Sequence, residues 1–293
     1  LHVWAEENPD VFVNHLSKYP EHIALEQLVD LQPLVERDAV PTDIYLDGLA
    51  DLWTRDGARY GMPKDWDTVA LVYNAELLAA AGVDPAELNE LTWNPKDGGT
   101  FEQMVARLTL DADGNNGLSA AFDPESVEQY GFLYLGAGGY SSGQTEWSAF
   151  TGSTGWHHTG NEVWGEQYFY DDPRFVESIE WYFGLSLDKG YAPPVSEMYG
   201  LGQLAMFQSE RGVLTVDGSW MIGSYLTSDF EVGFARLPIG PEGRKSMFNG
   251  VADSIWVGTE HPEASWEWVK FLASPECQMI VGETGVVFPA VQE

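Results

Sequence analysis

The sequence predicts an α/β protein whose open sheets carry helices on both faces. Three observations predict it: short β-branched runs such as "DVFVN" and "DTVALVYN", amphipathic stretches of helical period between them, and a length of 293 residues, which suits two domains with separate cores.

Residues 10 to 14, "DVFVN", sit between Pro9 and a polar stretch and read as a buried strand. "EHIALEQLVDLQPLVER" then has helical periodicity, which Pro33 should break because its ring removes a helical N–H. An Asp56-Gly57 turn follows, and Thr68 to Tyr73 form a strand rich in Val, Leu and Tyr. Asn74 caps the helix "NAELLAAAG", which Gly82 closes. Thr100 caps "TFEQMVARLTLD", and that helix runs into the turn-rich "DADGNNG".

Residues 136 to 165 are rich in Gly, Ser, Thr and Trp. Too polar for a core and too aromatic for a plain linker, they are expected to lie over a surface where aromatic rings are useful. "DPRFVESIEWYFGLSLDKG" is a helix with Phe175, Ile179, Tyr182 and Phe183 on one face. "GLGQLAMFQSERGVLTVDGSW" reads as a helix, a tight turn at Gly212, a buried strand and an Asp-Gly-Ser turn leading into Trp220. "EVGFARLPIG" and "FNGVADSIWVGT" are further strands, and "HPEASWEWVKFLASPECQMIVGETG" is helical.

Acidic residues number 46 against 14 basic ones, a formal net charge of -32. Nucleic acid and anionic membranes are poor partners for such a chain, because neutralising phosphates requires clustered Lys and Arg, and no nucleic-acid partner is expected. The acids are dispersed, which fits a solvated surface; the competing reading is a site that attracts cations. No apolar run approaches the roughly 20 residues of a membrane span. Cys277 stands alone, so it forms no internal disulfide and reads as a buried, inert thiol. The opening "LHVWAEENPD" has neither the basic start nor the apolar centre of a signal peptide, so a targeting segment is expected to be removed or not included.

No motif for a cofactor, a nucleotide phosphate or a nucleophilic serine is present. His157 and His158 are adjacent and lack companions at metal-ligand spacing. Asp111 to Asn115 begin like a calcium loop, but Asn116 replaces the required Gly and Phe122 the required Glu, so a solvated turn is expected.

Aromatic residues next to polar ones carry the remaining signal. Trp220 follows a strand end, where it is either a core plug or a platform for the CH face of a sugar. Trp66 and Asp67 precede the strand at 68, where Asp67 is either ligand-facing or a turn cap. Trp147 has Gln144 close by in a loop, a pairing that suits stacking with an amide partner; Trp156 and Trp164 share the loop. Trp181, Trp266 and Trp268 sit in amphipathic helices and read as packing residues.

"PDVFVN", "DGARYGMPKDWDTVALVYNAELLAAAGVD", "LTVDGSWM" and "FNGVADSIWVGTEHPEASWEWVKFLASPECQMIVGETGVVFPA" together resemble the family 1 extracellular solute-binding proteins, the sugar-capturing subunits of ABC importers. The resemblance runs from about residue 9 to residue 290. It implies a periplasmic-binding-protein-like (type II) fold of two α/β lobes that clasp ligand as a hinge closes. Residues 1-66 and 250-286 would form the N-terminal lobe, and 67-249 with 287-293 the C-terminal lobe. Chain crossings would lie at 66 to 68, 248 to 250 and 286 to 289.

Carried onto this sequence, the ligand-facing positions are Asn14, Asp67, Trp220, Asn249 and Gly250, with Trp66, Gln144, Trp147 and Asp253 beside them. Family members often have an aromatic where Asn14 stands. They also carry an opening segment before "PDVF" and a helical tail after "VFPA", so this chain is expected to be an interior piece, incomplete at both ends.

The function expected is capture of a carbohydrate by an exported, non-catalytic monomer in the periplasm or at the extracellular face of the cell membrane, and its delivery to permease subunits; a lipoprotein anchor in the preceding segment is compatible with this and is left open by the sequence. The rival readings are a carbohydrate-active enzyme with two catalytic carboxylates, and a binding protein for another solute such as a polyamine or a glycerol phosphodiester.

Overall fold

A computed structural model describes residues 9–134, 143–160, 165 and 167–292; Trp164 lies outside them. In chain order the strands are β1 (Val11–His15), β2 (Thr54–Arg55), β3 (Ala58–Arg59), β4 (Met62–Pro63), β5 (Asp65–Trp66) and β6 (Val69–Asn74). They continue as β7 (Leu110–Asp111), β8 (Val127–Leu133), β9 (Gly212–Gly218), β10 (Val232–Ala235), β11 (Val251–Ile255) and β12 (Phe288–Pro289). The helices are α1 (Tyr19–Ala24), α2 (Gln32–Arg37), α3 (Ala75–Ala80), α4 (Gly99–Leu108), α5 (Ser148–Gly152) and α6 (Pro173–Leu187). After them come α7 (Val195–Leu201), α8 (Gln203–Gln208), α9 (Ile222–Tyr225), α10 (Pro262–Leu272) and α11 (Pro275–Glu283).

The chain divides into two compact units, residues 1–67 with 248–293 and residues 68–247. It passes from one to the other at 67/68 and 247/248, within a residue or two of two expected crossings. Residues 287–293, assigned to the second lobe from the sequence, belong instead to the first unit. The reason is pairing: Phe288 and Pro289 in β12 are antiparallel to Trp66 and Asp65 in β5, and Val291 bridges to Tyr45.

In the first unit β11 lies between β1 and β4, all antiparallel, with Asn14 opposite Ala252 and His15 opposite Val251. Leu31, Leu49, Met62, Ile255, Trp266 and Val269 fill its core, and α10 packs on β11. Pro33 starts α2 rather than breaking a longer helix, because a first-turn residue has no intrahelical N–H bond to lose. The chain between α1 and α2 leaves helical geometry at Glu26 (φ 54°) so that Leu28 can bridge to Trp256.

In the second unit a five-stranded sheet runs β10-β6-β9-β8-β7, antiparallel except for the parallel β8–β9 pair. All seven residues of β9 are buried, as its apolar run requires, and α4 and α8 pack on this sheet. Asn74 caps α3 by accepting from the backbone N–H groups of Glu76 and Leu77, as its position predicts. Thr100 does not cap α4: it lies inside the helix behind Gly98, and its Oγ1 accepts instead from Thr92 N–H at 2.8 Å. The turn expected at Gly212 is made by Ser209 to Arg211, with Glu210 at φ 59°; Gly212 already belongs to β9, where a Cβ would meet Leu133.

Candidate functional site

In the first unit, β5, the bridge residue that follows it and β11 bring together three carboxylates, Asp65, Asp67 and Asp253, from two distant parts of the chain. Asp65 and Asp67 lie two residues apart, so the strand period turns both to one side and Trp66 to the other. Asp65 Oδ1 accepts from Val251 N–H at 2.9 Å, while burial pushes its carboxyl up to about 6. Asp67 is 9% exposed and is pushed up to about 7, first by burial and then by the charge of Asp65; the side chain of Asn249 acts in the opposite sense. Its Oδ1 has no hydrogen-bond partner among the described residues. Asp253, 2% exposed, is raised by burial and offset by Lys64, whose Nζ lies 3.6 Å from Oδ1.

Asn249 is tied to this group on two sides. Its backbone exchanges hydrogen bonds with Asp67, and its side-chain amide lies 3.0 Å from His15 Nε2. Gly250 has a different task from the ligand contact expected of it. A Cβ there would sit 2.4 Å from the Asp65 carbonyl oxygen, so glycine permits the close approach of the two strands.

Two other expected ligand groups are turned elsewhere. Asn14 is 1% exposed; its Nδ2 donates to Ser254 Oγ at 3.2 Å and its Oδ1 accepts from His15 N–H at 2.9 Å, which makes it a tie between β1 and β11. Trp66 is half-buried against Phe288, with ring centroids 4.9 Å apart, and Phe248 lies 6.4 Å away. Its ring therefore completes an aromatic group on the strand face away from Asp67.

In the second unit, β6 and β9 place Val69 opposite Gly218, and the backbone N–H of Ser219 donates to the Thr68 carbonyl at 2.9 Å. Trp220 lies in the single 3₁₀ turn that follows, half-buried and outside the core cluster. One side of its indole rests on Gly218, where a Cβ would come within 2.3 Å of the six-membered ring. That placement separates it from the fully buried tryptophans.

Asp217, in the same motif, is 2% exposed and pushed up to about 6 by burial, while Gly218 N–H and the Tyr225 hydroxyl each donate to it at 2.8 Å. It lines a cleft of about 470 Å³ with Glu146, which burial pushes up to about 7.

A larger cavity of about 900 Å³ in this unit is lined by Gln144, Ser148, Thr151, Trp156, His158 and Lys245 among others. Gln144 is thus placed at a polar opening. Trp147 is not: it is 7% exposed and meets Phe175 and Trp156 edge-on at 5.2 and 6.0 Å, so it is a core residue.

The Asp111 turn is internally satisfied. Oδ1 accepts from the N–H groups of Asp113 and Asn115, and Oδ2 from that of Asp123. No group of three or more His, Cys, Asp or Glu side chains is set to hold a metal among the described residues.

Sequence reasoning missed His15, Asp65, Glu146 and Asp217. Asp65 carried a usable signal, its two-residue spacing from Asp67 beside a strand. The others depend on which buried surface they meet.

A model of the family described as bacterial extracellular solute-binding protein matches residues 5–279. The maltodextrin-binding protein MdxE of Bacillus subtilis is 26% identical over 228 residues, which cover 75% of this chain and 47% of that protein. A maltotriose-binding protein of Pyrococcus abyssi is 25% identical over 285 residues, covering 93% of this chain and 52% of the relative. The chain thus spans about half the length of the curated relatives it matches. Among solved structures, Mycobacterium tuberculosis UspC superposes with a TM-score of 0.76 at 28% identity, over 97% of this chain and 68% of that one. The substrate-binding protein Lmo0181 of Listeria monocytogenes, solved with cycloalternan, gives 0.80 at 18% identity over 97% and 66%.

Proposed function

This chain belongs to the bacterial extracellular solute-binding proteins, and on that premise we propose that it captures a neutral sugar or oligosaccharide outside the cell membrane and delivers it to the permease of an ABC importer. The observation that carries the proposal is Asp67: a buried carboxylate with an unmatched oxygen needs a hydrogen-bond donor, and a sugar hydroxyl supplies one. Trp220 supports it with an indole that is neither fully buried nor part of the core, suited to the CH face of a pyranose.

The relatives named for maltodextrin and maltotriose binding support a glucan-type ligand. The net charge of -32 and the buried carboxylates oppose a phosphorylated solute. In this reading the carboxylates accept hydrogen bonds and perform no bond cleavage, so the protein is a non-catalytic carrier. No helix among the described residues is long and apolar enough to cross a membrane.

A thermal-shift screen against neutral mono- and oligosaccharides, a glycerol phosphodiester and spermidine tests the class of ligand. Stabilisation by neutral sugars alone is expected. Stabilisation by spermidine alone, or release of reducing ends from an oligosaccharide, would overturn the proposal.

A further inference from the structure

A single turn carries Gln144 to the wall of the 900 Å³ cavity in the second unit. Gly143 opens the turn in the left-handed region at φ 57°, and its carbonyl accepts from the N–H groups of Glu146 and Ser148 at 2.9 and 3.0 Å. The Gln144 carbonyl accepts in turn from the Ser148 hydroxyl at 2.7 Å. These bonds fix the backbone from which the side chain reaches the cavity.

Gln144 is 8% exposed, yet its side-chain amide has no hydrogen-bond partner among the described residues. The amide faces the open space of the cavity. A polar group set so deeply costs free energy until something arrives to bond it.

Its neighbours narrow the chemistry. Ser148 and Thr154 line the same cavity, and each hydroxyl has given its proton to a backbone carbonyl, at 2.7 and 2.6 Å. A hydroxyl so committed offers only lone pairs. The wall therefore supplies two acceptor oxygens and one amide that both donates and accepts. Its charged side chains carry both signs. Arg174 is paired with Asp172 at 2.7 Å and donates to the Gly155 carbonyl at 2.9 Å, while Lys245 and Glu242 share the exposed part of the lining. An anion finds no concentrated positive charge here, and a neutral ligand whose hydroxyls donate and accept matches all three polar groups.

We propose that this cavity is a saccharide subsite in which Gln144 reads two adjacent hydroxyls of one sugar ring, its amide oxygen accepting from one and its NH₂ donating to the other. Ser148 and Thr154 accept from further hydroxyls. The inference rests on the sugar-binding reading and deepens it, by adding a specificity-determining residue of the second unit to Asp67 of the first. A ring that lacks either hydroxyl leaves an amide atom unmatched in a buried place, which is how such a site discriminates.

Maltotriose, cellobiose and mannobiose are the probes. In ¹⁵N-labelled native protein the Gln144 NH₂ signal is identified by its loss in Gln144→Met, and the probe that binds should shift it. Calorimetric titration should give an affinity about tenfold or more weaker in Gln144→Met, the scale of a hydrogen bond lost from a buried site. Gln144→Glu keeps the shape but loses the NH₂ donor; it should also bind more weakly, and it serves where the Met variant fails to fold. Monodeoxy forms of the bound sugar separate reading from packing: removal of either hydroxyl that Gln144 reads should weaken binding to the native protein and change nothing in Gln144→Met. Native affinity in either folded variant, an unmoved NH₂ signal at saturation, or equal losses for the deoxy sugars in both proteins would overturn the inference and leave the sugar-binding reading intact. Failure of every neutral sugar to bind would overturn both.

Discussion

Asp67 and Asn249 bind each other's backbones in both directions: Asp67 N–H donates at 2.8 Å and Asn249 N–H at 3.1 Å. The bridge joins the last residue of the first unit's opening segment to the second residue of its returning one, which are 182 positions apart. Asp67 is thereby held rigidly although its carboxylate is left short of a donor. That combination suits a ligand group, since an ordered acceptor loses little freedom on binding.

The first prediction contrasts two tryptophans. Trp220→Ala should leave the fold intact and weaken sugar binding by about 0.5–1.5 kcal/mol or more, the range of an aromatic contact beyond its buried area. Trp147→Ala should destabilise the protein by about 3–5 kcal/mol, the usual loss for a buried aromatic. Urea unfolding and calorimetric titration of both variants separate the two effects.

Gly218→Ala provides a second route to Trp220. The added methyl would displace the indole that rests on the glycine, so affinity should fall although no ligand group is removed. Gly250→Ala should cost stability on the order of 1–3 kcal/mol, because the Asp65 carbonyl occupies the space a Cβ requires. Chemical denaturation and sugar titration of each variant check these outcomes.

Stability should increase on mild acidification. Burial raises Asp67 to about 7, and Asp65 and Asp217 to about 6, all above the unfolded value near 4. Between those limits the folded state binds more protons than the unfolded one, so unfolding free energy falls as pH rises from about 4 to 7. Melting temperature should therefore be higher at pH 5.5 than at pH 8, and Asp217→Asn should flatten the slope. A melting temperature that rises with pH across this range would contradict the assigned shifts.

Local signals were legible in the sequence, and long-range burial was not. Asn74 capped its helix as read, because a cap depends on a few neighbouring backbone groups. Pro33 was misplaced because the same residue starts a helix or stops one according to where the turn before it bends. Trp147 and Trp220 looked alike, each an aromatic beside polar residues, but the first meets Phe175 and Trp156 and the second lies over a glycine. His15 and Asn249 meet across 234 positions through strand pairing, a contact that neither local stretch announces. The motif set still identified the family, because it depends on order along the chain.

The most direct test is isothermal titration of a neutral oligosaccharide selected by the screen into the native protein and into Asp67→Asn. The account predicts saturable binding to the native protein and a loss of about tenfold or more in Asp67→Asn, the scale of a hydrogen bond to a charged group. Equal affinity in both proteins would contradict the role of Asp67, and no heat with any neutral sugar would contradict the function itself.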